Sequence, residues 1–176
     1  SNGISAGDSV IDYGDGNVTG FTPFTFGTTD TKGYQTNWNL SVGYDDLVQS
    51  VVAINNPSDP SDTNGEIGES IGVAAAFVSG TIDLFYQDGG SYTSPTLVAQ
   101  LNVIPGGEAT IGNFVGNLEV DFSNVDAGDI TLAQNMFFFD RDGGESWYDL
   151  WKANEDLPAE EQSDILIRAR FDTNID

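Results

Sequence analysis

Gly80-Thr81-Ile82-Asp83-Leu84-Phe85-Tyr86 alternates side chains with period two: Ile82, Leu84 and Tyr86 fall on one face, Thr81, Asp83 and Phe85 on the other. That is the signature of a strand with one face against a core, because successive strand side chains point to opposite sides. The same alternation returns near the C-terminal end. There Ile165, Ile167, Ala169 and Phe171 face one way, and Leu166, Arg168 and Arg170 the other. An antiparallel sheet with one wet face accommodates both.

Working outward, apolar runs rich in Val, Ile, Thr and aromatics recur between Gly, Asp, Asn and Pro clusters, as in two-layered all-β domains. The expected strands are Ser9–Tyr13, Gly20–Phe26, Gln35–Val42, Leu47–Asn55, Ile71–Phe77, Gly80–Tyr86, Thr96–Val103, Thr110–Phe114, Asn117–Phe122, Thr131–Phe139 and Asp164–Phe171. One short helix is expected from Ser146 to about Asp156. Ser146 would cap it, and Trp147, Leu150, Trp151 and Asn154 follow helical spacing, reading as a face packed on the sheet. Pro158 would end it, with a second acidic turn after it. No repeat and no composition break divides the chain. The expectation is therefore a single all-β domain over residues 1–176, an antiparallel β-sandwich of jelly-roll type, with residues 1–17 as an N-terminal arm or donor strand carrying Val10, Ile11 and Tyr13.

Charge narrows the functions. The 176 residues hold 28 Asp and Glu against 5 Lys and Arg, a formal net charge of −23, with no His and no Cys. Nucleic acid and anionic membrane surfaces need a basic footprint that five cationic residues do not supply. Lacking His and Cys, the chain also lacks the usual near-neutral base, the thiolate nucleophile and most zinc ligand sets. A resident metal would have to accept oxygen ligands, which points to calcium or magnesium. No apolar run reaches the roughly 18 residues that a spanning helix needs, so membrane insertion is not expected. Ser1-Asn2-Gly3 suits a start left by signal peptidase, and the expectation is a secreted, trimmed protein.

Three acidic loops suit calcium because Asp, Asn and Glu alternate with Gly. They are Asp59–Glu66, with Asp59, Asp62, Asn64 and Glu66; Asp140–Glu145, with Asp140, Asp142 and Glu145; and Asp12–Asn17, with Asp12 and Asp15. The same residue types also favour plain solvated turns. Among aromatics, Trp38, Trp147 and Trp151 are candidates for stacking on sugar rings, although strand and helix aromatics are more often core. Asn17-Val18-Thr19 and Asn39-Leu40-Ser41 match the glycosylation acceptor pattern. A catalytic pair of carboxylates, as in glycoside hydrolases, is available from so many acids that no pair stands out. There is no Gly-x-Ser-x-Gly elbow, phosphate loop or dinucleotide fingerprint.

Gly80–Tyr86 followed by Asp88-Gly89-Gly90, Leu97–Leu101, and Phe137-Phe138-Phe139-Asp140-Arg141-Asp142-Gly143 resembles the body of exported bacterial PEP-CTERM proteins of the flocculation-associated kind, over roughly residues 74–176. The resemblance implies secretion, surface sorting and a role in extracellular matrix or biofilm, although the Pro-Glu-Pro signal, membrane anchor and basic tail of that family are missing from this sequence. The expected function is an extracellular structural subunit that binds copies of itself into a filament or homopolymer by strand addition, stabilised by calcium or other divalent cations. The alternatives are a calcium-dependent carbohydrate-binding module with polysaccharide as partner, and a carboxylate-based glycoside hydrolase.

Overall fold

The computed structural model describes residues 4–17, 38–55, 61, 64–65, 72–89, 94–110, 113–136 and 145–172. Its elements in chain order are β1 (Ile4–Ser5), β2 (Ser9–Asn17), β3 (Trp38–Asn55), β4 (Asn64–Gly65), β5 (Gly72–Asp88), β6 (Thr96–Thr110), β7 (Asn113–Asp121), α1 (Ile130–Gln134), α2 (Trp147–Glu155) and β8 (Leu166–Asp172). Six strands form one sheet in the order β2-β3-β5-β6-β7-β8, and β1 pairs with β4 in a two-stranded ribbon. Every pairing is antiparallel. The all-β antiparallel class is as expected. The described strands give one principal sheet with helices against it, and the second packed sheet of a sandwich is not among them.

The alternation in Gly80–Tyr86 is realised as read. Ile82 pairs with Leu101, and Leu101 with Val120, so one face of three adjacent strands is continuously apolar. Ile82, Leu84, Ala99, Leu101, Leu118 and Val120 are all buried there. The polar phase of the same strands, Thr81 with Asn102 and Asp83 with Gln100, lies on the opposite face. At the start of β8, Ile165 just before the strand and Ile167 within it pack against the core while Leu166 is exposed, again as the alternation requires.

Two pairs of expected strands fuse. Leu47–Asn55 and the described part of Gln35–Val42 lie within β3, whereas Ile71–Phe77, from Gly72 on, and Gly80–Tyr86 lie within β5. Asp45 and Asp46 fall between two expected strands and Gly80 begins another, but the structure uses all three at a β-bulge. Asp45 pairs with Thr81 and Val48 with Ser79, so Asp46 and Leu47 together oppose Gly80. Asp46 takes φ 58° and Gly80 φ 131°. A Cβ on Gly80 would stand 2.8 Å from the Leu47 Cα and 2.9 Å from the Asp46 carbonyl oxygen. The extra residue changes the phase of β3. Leu40, at an even position, is buried before the bulge, and Leu47, Gln49 and Val51, at odd positions, are buried after it. An 18-residue strand thereby keeps one buried face despite sequence parity that changes midway. Further register shifts pass over Val78 and Val52, two of the exposed large hydrophobics.

Thr131–Phe139 was expected as a strand and is not one: Ile130–Gln134 is helical, and residues 137–139 lie outside the described residues. Burial decides it. Ile130, Ala133 and Met136, spaced by three, all reach the core, and Ala133 is fully buried. That spacing is helical, and it overrides the strand propensity of Ile130 and Thr131. The second helix is as read, with the Ser146 hydroxyl accepting from the Asp149 N–H at 3.4 Å. Its Tyr148 and Trp151 pack on Phe122, with ring centroids 5.4 and 5.7 Å away. After it, the Glu161 N–H donates to the Pro158 carbonyl at 2.8 Å, closing the acidic turn. The expected strand Gly20–Phe26 lies outside the described residues.

Candidate functional site: the open face and the sheet edges

Among the described residues, the helices cover part of the apolar face and nothing covers the polar face. Register aligns residues across that face in rows. Asp15 of β2 stands opposite Gly43, Gly43 opposite Asp83, Asp83 opposite Gln100, and Gln100 opposite Asp121. A parallel row runs Asp45, Thr81, Asn102, Glu119, Leu166. Side chains within and between rows bond one another. Gln100 Nε2 donates to Asp83 Oδ1 at 2.5 Å, and Asn124 Nδ2 donates to Gln100 Oε1 at 2.6 Å. Thr81 Oγ1 donates to Asn102 Oδ1 at 3.0 Å, and Asn102 Nδ2 to Asp121 Oδ2 at 3.4 Å. Such cross-strand pairs are the means by which a wet face contributes to sheet stability.

The missing side chain at Gly43 makes a depression in this face. Phe85 leans across it, its Cε2 3.2 Å from where a Gly43 Cβ would stand. A broad groove of about 500 Å³ results, bounded by Tyr13, Asp15, Asp45, Asp83, Phe85 and Gln100. Its charged side chains are all acidic, so it is a surface of hydrogen-bond acceptors. Further along the face, Glu119 has its pKa raised, first by burial and then by repulsion from Asp164, Asp121 and Glu155. The surface is thus acidic enough to disfavour one of its own charges.

Among the described residues, no three Asp, Glu, His or Cys converge as a metal-holding group. Of the residues expected to hold calcium, Asp59, Asp62, Glu66, Asp140 and Asp142 lie outside the described residues. Asn64 lies in β4, and Glu145 is exposed ahead of the Ser146 cap. Asp12 and Asp15 both lie on β2, where Asp12 pairs with Leu47 and Asp15 with Gly43. The three tryptophans serve packing: Trp38 stacks on Tyr86 at 6.0 Å between centroids, and Trp147 and Trp151 lie against the core. Burial and Asp88 push the Tyr86 phenol above its usual pKa. Sequence reading missed Asp83, Phe85 and Gln100. Their signal was the polar phase of the strands themselves, Thr81/Asp83, Gln100/Asn102 and Glu119/Asp121, each pair two residues apart.

Among the described residues, nothing pairs with the outer side of either end strand of the sheet. Of the expected arm, residues 1–17, Ile4–Ser5 forms β1 and Ser9–Asn17 is the edge strand β2, hydrogen-bonded to β3 along its inner side. It leaves Ile11 56% and Tyr13 78% exposed, with Val10 half-buried. Tyr13 is the residue passed over where the β2–β3 register shifts. The other edge is β8, with Leu166 46% exposed. No helix among the described residues is long and apolar enough to cross a membrane. Comparison with protein-family models, with curated proteins and with solved structures finds no match to this chain.

Proposed function

We propose that this chain is a non-enzymatic structural subunit, secreted to the cell surface or an extracellular matrix, that polymerises by adding strands at its open sheet edges. One observation carries the reading: edge strand β2 presents an outer side unpaired among the described residues, together with the exposed apolar side chains of Ile11 and Tyr13. An edge of this kind is a template for another strand, and β2 contains neither the proline nor the lysine that commonly blunts one. The net charge of −23 gives divalent cations a role between subunits, where they would offset repulsion that simple salt only screens. The likeness to matrix-associated PEP-CTERM proteins supports the same location.

The test is light scattering and electron microscopy of the purified chain across protein concentration, with calcium or chelator at matched ionic strength. Growth of assemblies is expected, and deletion of residues 1–16 should abolish it. A chain that stays monomeric under all these conditions refutes the reading. Assembly indifferent to chelator removes the cation from it. A glycan array on the same sample addresses the carbohydrate-binding alternative.

A further inference from the structure

Resting on the assembly reading above, we infer that subunits join head to tail, the β8 edge of one copy pairing antiparallel with the β2 edge of the next, so that each addition extends a single continuous sheet. Strand direction carries the first part of the argument. The sheet contains six strands, each antiparallel to its neighbour. An even number of alternating strands leaves the two edges running in opposite directions. A copy placed beside β8 in the same orientation therefore presents its β2 antiparallel to that β8, and the alternation continues without a break.

Charge carries the second part. The chain has 5 basic residues among 176, and two of them, Arg168 and Arg170, fall in the seven-residue β8, which with Asp172 keeps a net positive charge. The nine-residue β2 holds Asp12 and Asp15 and no basic residue. Joining β2 to β2 would bring acids together, and joining β8 to β8 would bring arginines together. Only the β2–β8 contact unites edges of opposite net charge, and like charges across a strand pair are destabilising. Exposed apolar residues lie on both edges, Ile11 and Tyr13 on β2 and Leu166 on β8, so either side brings surface to bury. A contact between two different surfaces does not close on itself as a two-fold dimer does; it generates an open filament or a ring.

The test exchanges the charges. Asp12→Lys/Asp15→Lys makes both edges basic, and Arg168→Glu/Arg170→Glu makes both acidic. Each variant alone should assemble only at a concentration raised by roughly tenfold or more. An equimolar mixture should recover the parent's behaviour, because the basic β2 of one variant meets the acidic β8 of the other. Because the chain has no Cys, Ile11→Cys and Leu166→Cys at exposed positions provide a second measurement that leaves the charges intact. A short thiol crosslinker should join the two variants to each other and neither to itself. Single variants that assemble like the parent, a mixture that fails to recover, or Ile11→Cys joined to itself would each overturn the β2–β8 contact while leaving the assembly reading in place. A parent that never assembles removes both.

Discussion

Gly80→Ala is the most informative single substitution in the sheet. Gly80 sits at φ 131°, where an L side chain is strained, and a non-glycine residue held there costs about 1–3 kcal/mol. Its methyl would also meet two backbone atoms, the Leu47 Cα at 2.8 Å and the Asp46 oxygen at 2.9 Å, with Leu47 Cδ1 at 2.9 Å. Backbone does not rotate aside, so relief requires the β3–β5 bulge to open, losing ladder bonds worth about 1 kcal/mol each. Reduced freedom of the unfolded chain returns about 0.4–1 kcal/mol. The expected net loss is about 3 kcal/mol, which for a domain of this size lowers the melting temperature by roughly 6–12 °C. Gly89 is the control: its φ is 69°, but nothing lies within 4 Å of a Cβ placed there. Gly89→Ala should therefore cost only the left-handed penalty, about 1–2 kcal/mol. Urea unfolding and calorimetry of both variants measure the difference. A loss for Gly80→Ala no larger than that for Gly89→Ala would refute the claim that the bulge needs this glycine for space as well as for dihedral freedom.

Phe122→Ala removes a buried ring that touches Tyr148 and Trp151 and joins the second helix to the sheet. It should cost about 3–5 kcal/mol in urea unfolding, with loss of near-ultraviolet aromatic circular dichroism. Glu119 gives a pH dependence of definite sign. Its pKa is raised in the folded state, so the folded chain holds that proton more tightly than the unfolded one. Its contribution therefore falls as pH rises from the ordinary carboxylate value to the raised one, and is most favourable below that window. Glu119→Gln should flatten this part of the stability profile and stabilise the protein at neutral pH; an unchanged profile refutes the assignment.

The sheet's two faces were legible in the sequence wherever alternation ran unbroken, as at Thr81–Tyr86 and Ile165–Ile167. They were illegible where a bulge changed the phase. Asp46, between two expected strands, and Gly80, at the start of another, did not announce a bulge because the residues that tolerate positive φ in a bulge are those that tolerate it in a turn. Ile130–Met136 failed for a different reason: its strand propensity is overridden by the burial of Ala133, which depends on distant residues. The candidate surfaces were legible in part. The acidic balance and the apolar residues of β2 stood out, whereas the groove under Phe85 depends on Gly43 lying two strands from Gln100, and adjacency of that kind is set by register. The edge role of β8 likewise follows from the order of the strands.

That order also has a kinetic consequence. Each strand of the large sheet pairs with the one before it in sequence, apart from the short β4, so the sheet can grow in the direction in which the chain is made. Contacts close in sequence form faster than distant ones because less loop entropy is lost before each is made. The β2 edge thus exists as soon as β3 has formed, while β8 docks last, after both helices. A sheet still lacking β8 already carries the acidic β2 edge, so on the proposed assembly the edge that would receive the next subunit's β2 is the last part of the sheet to form.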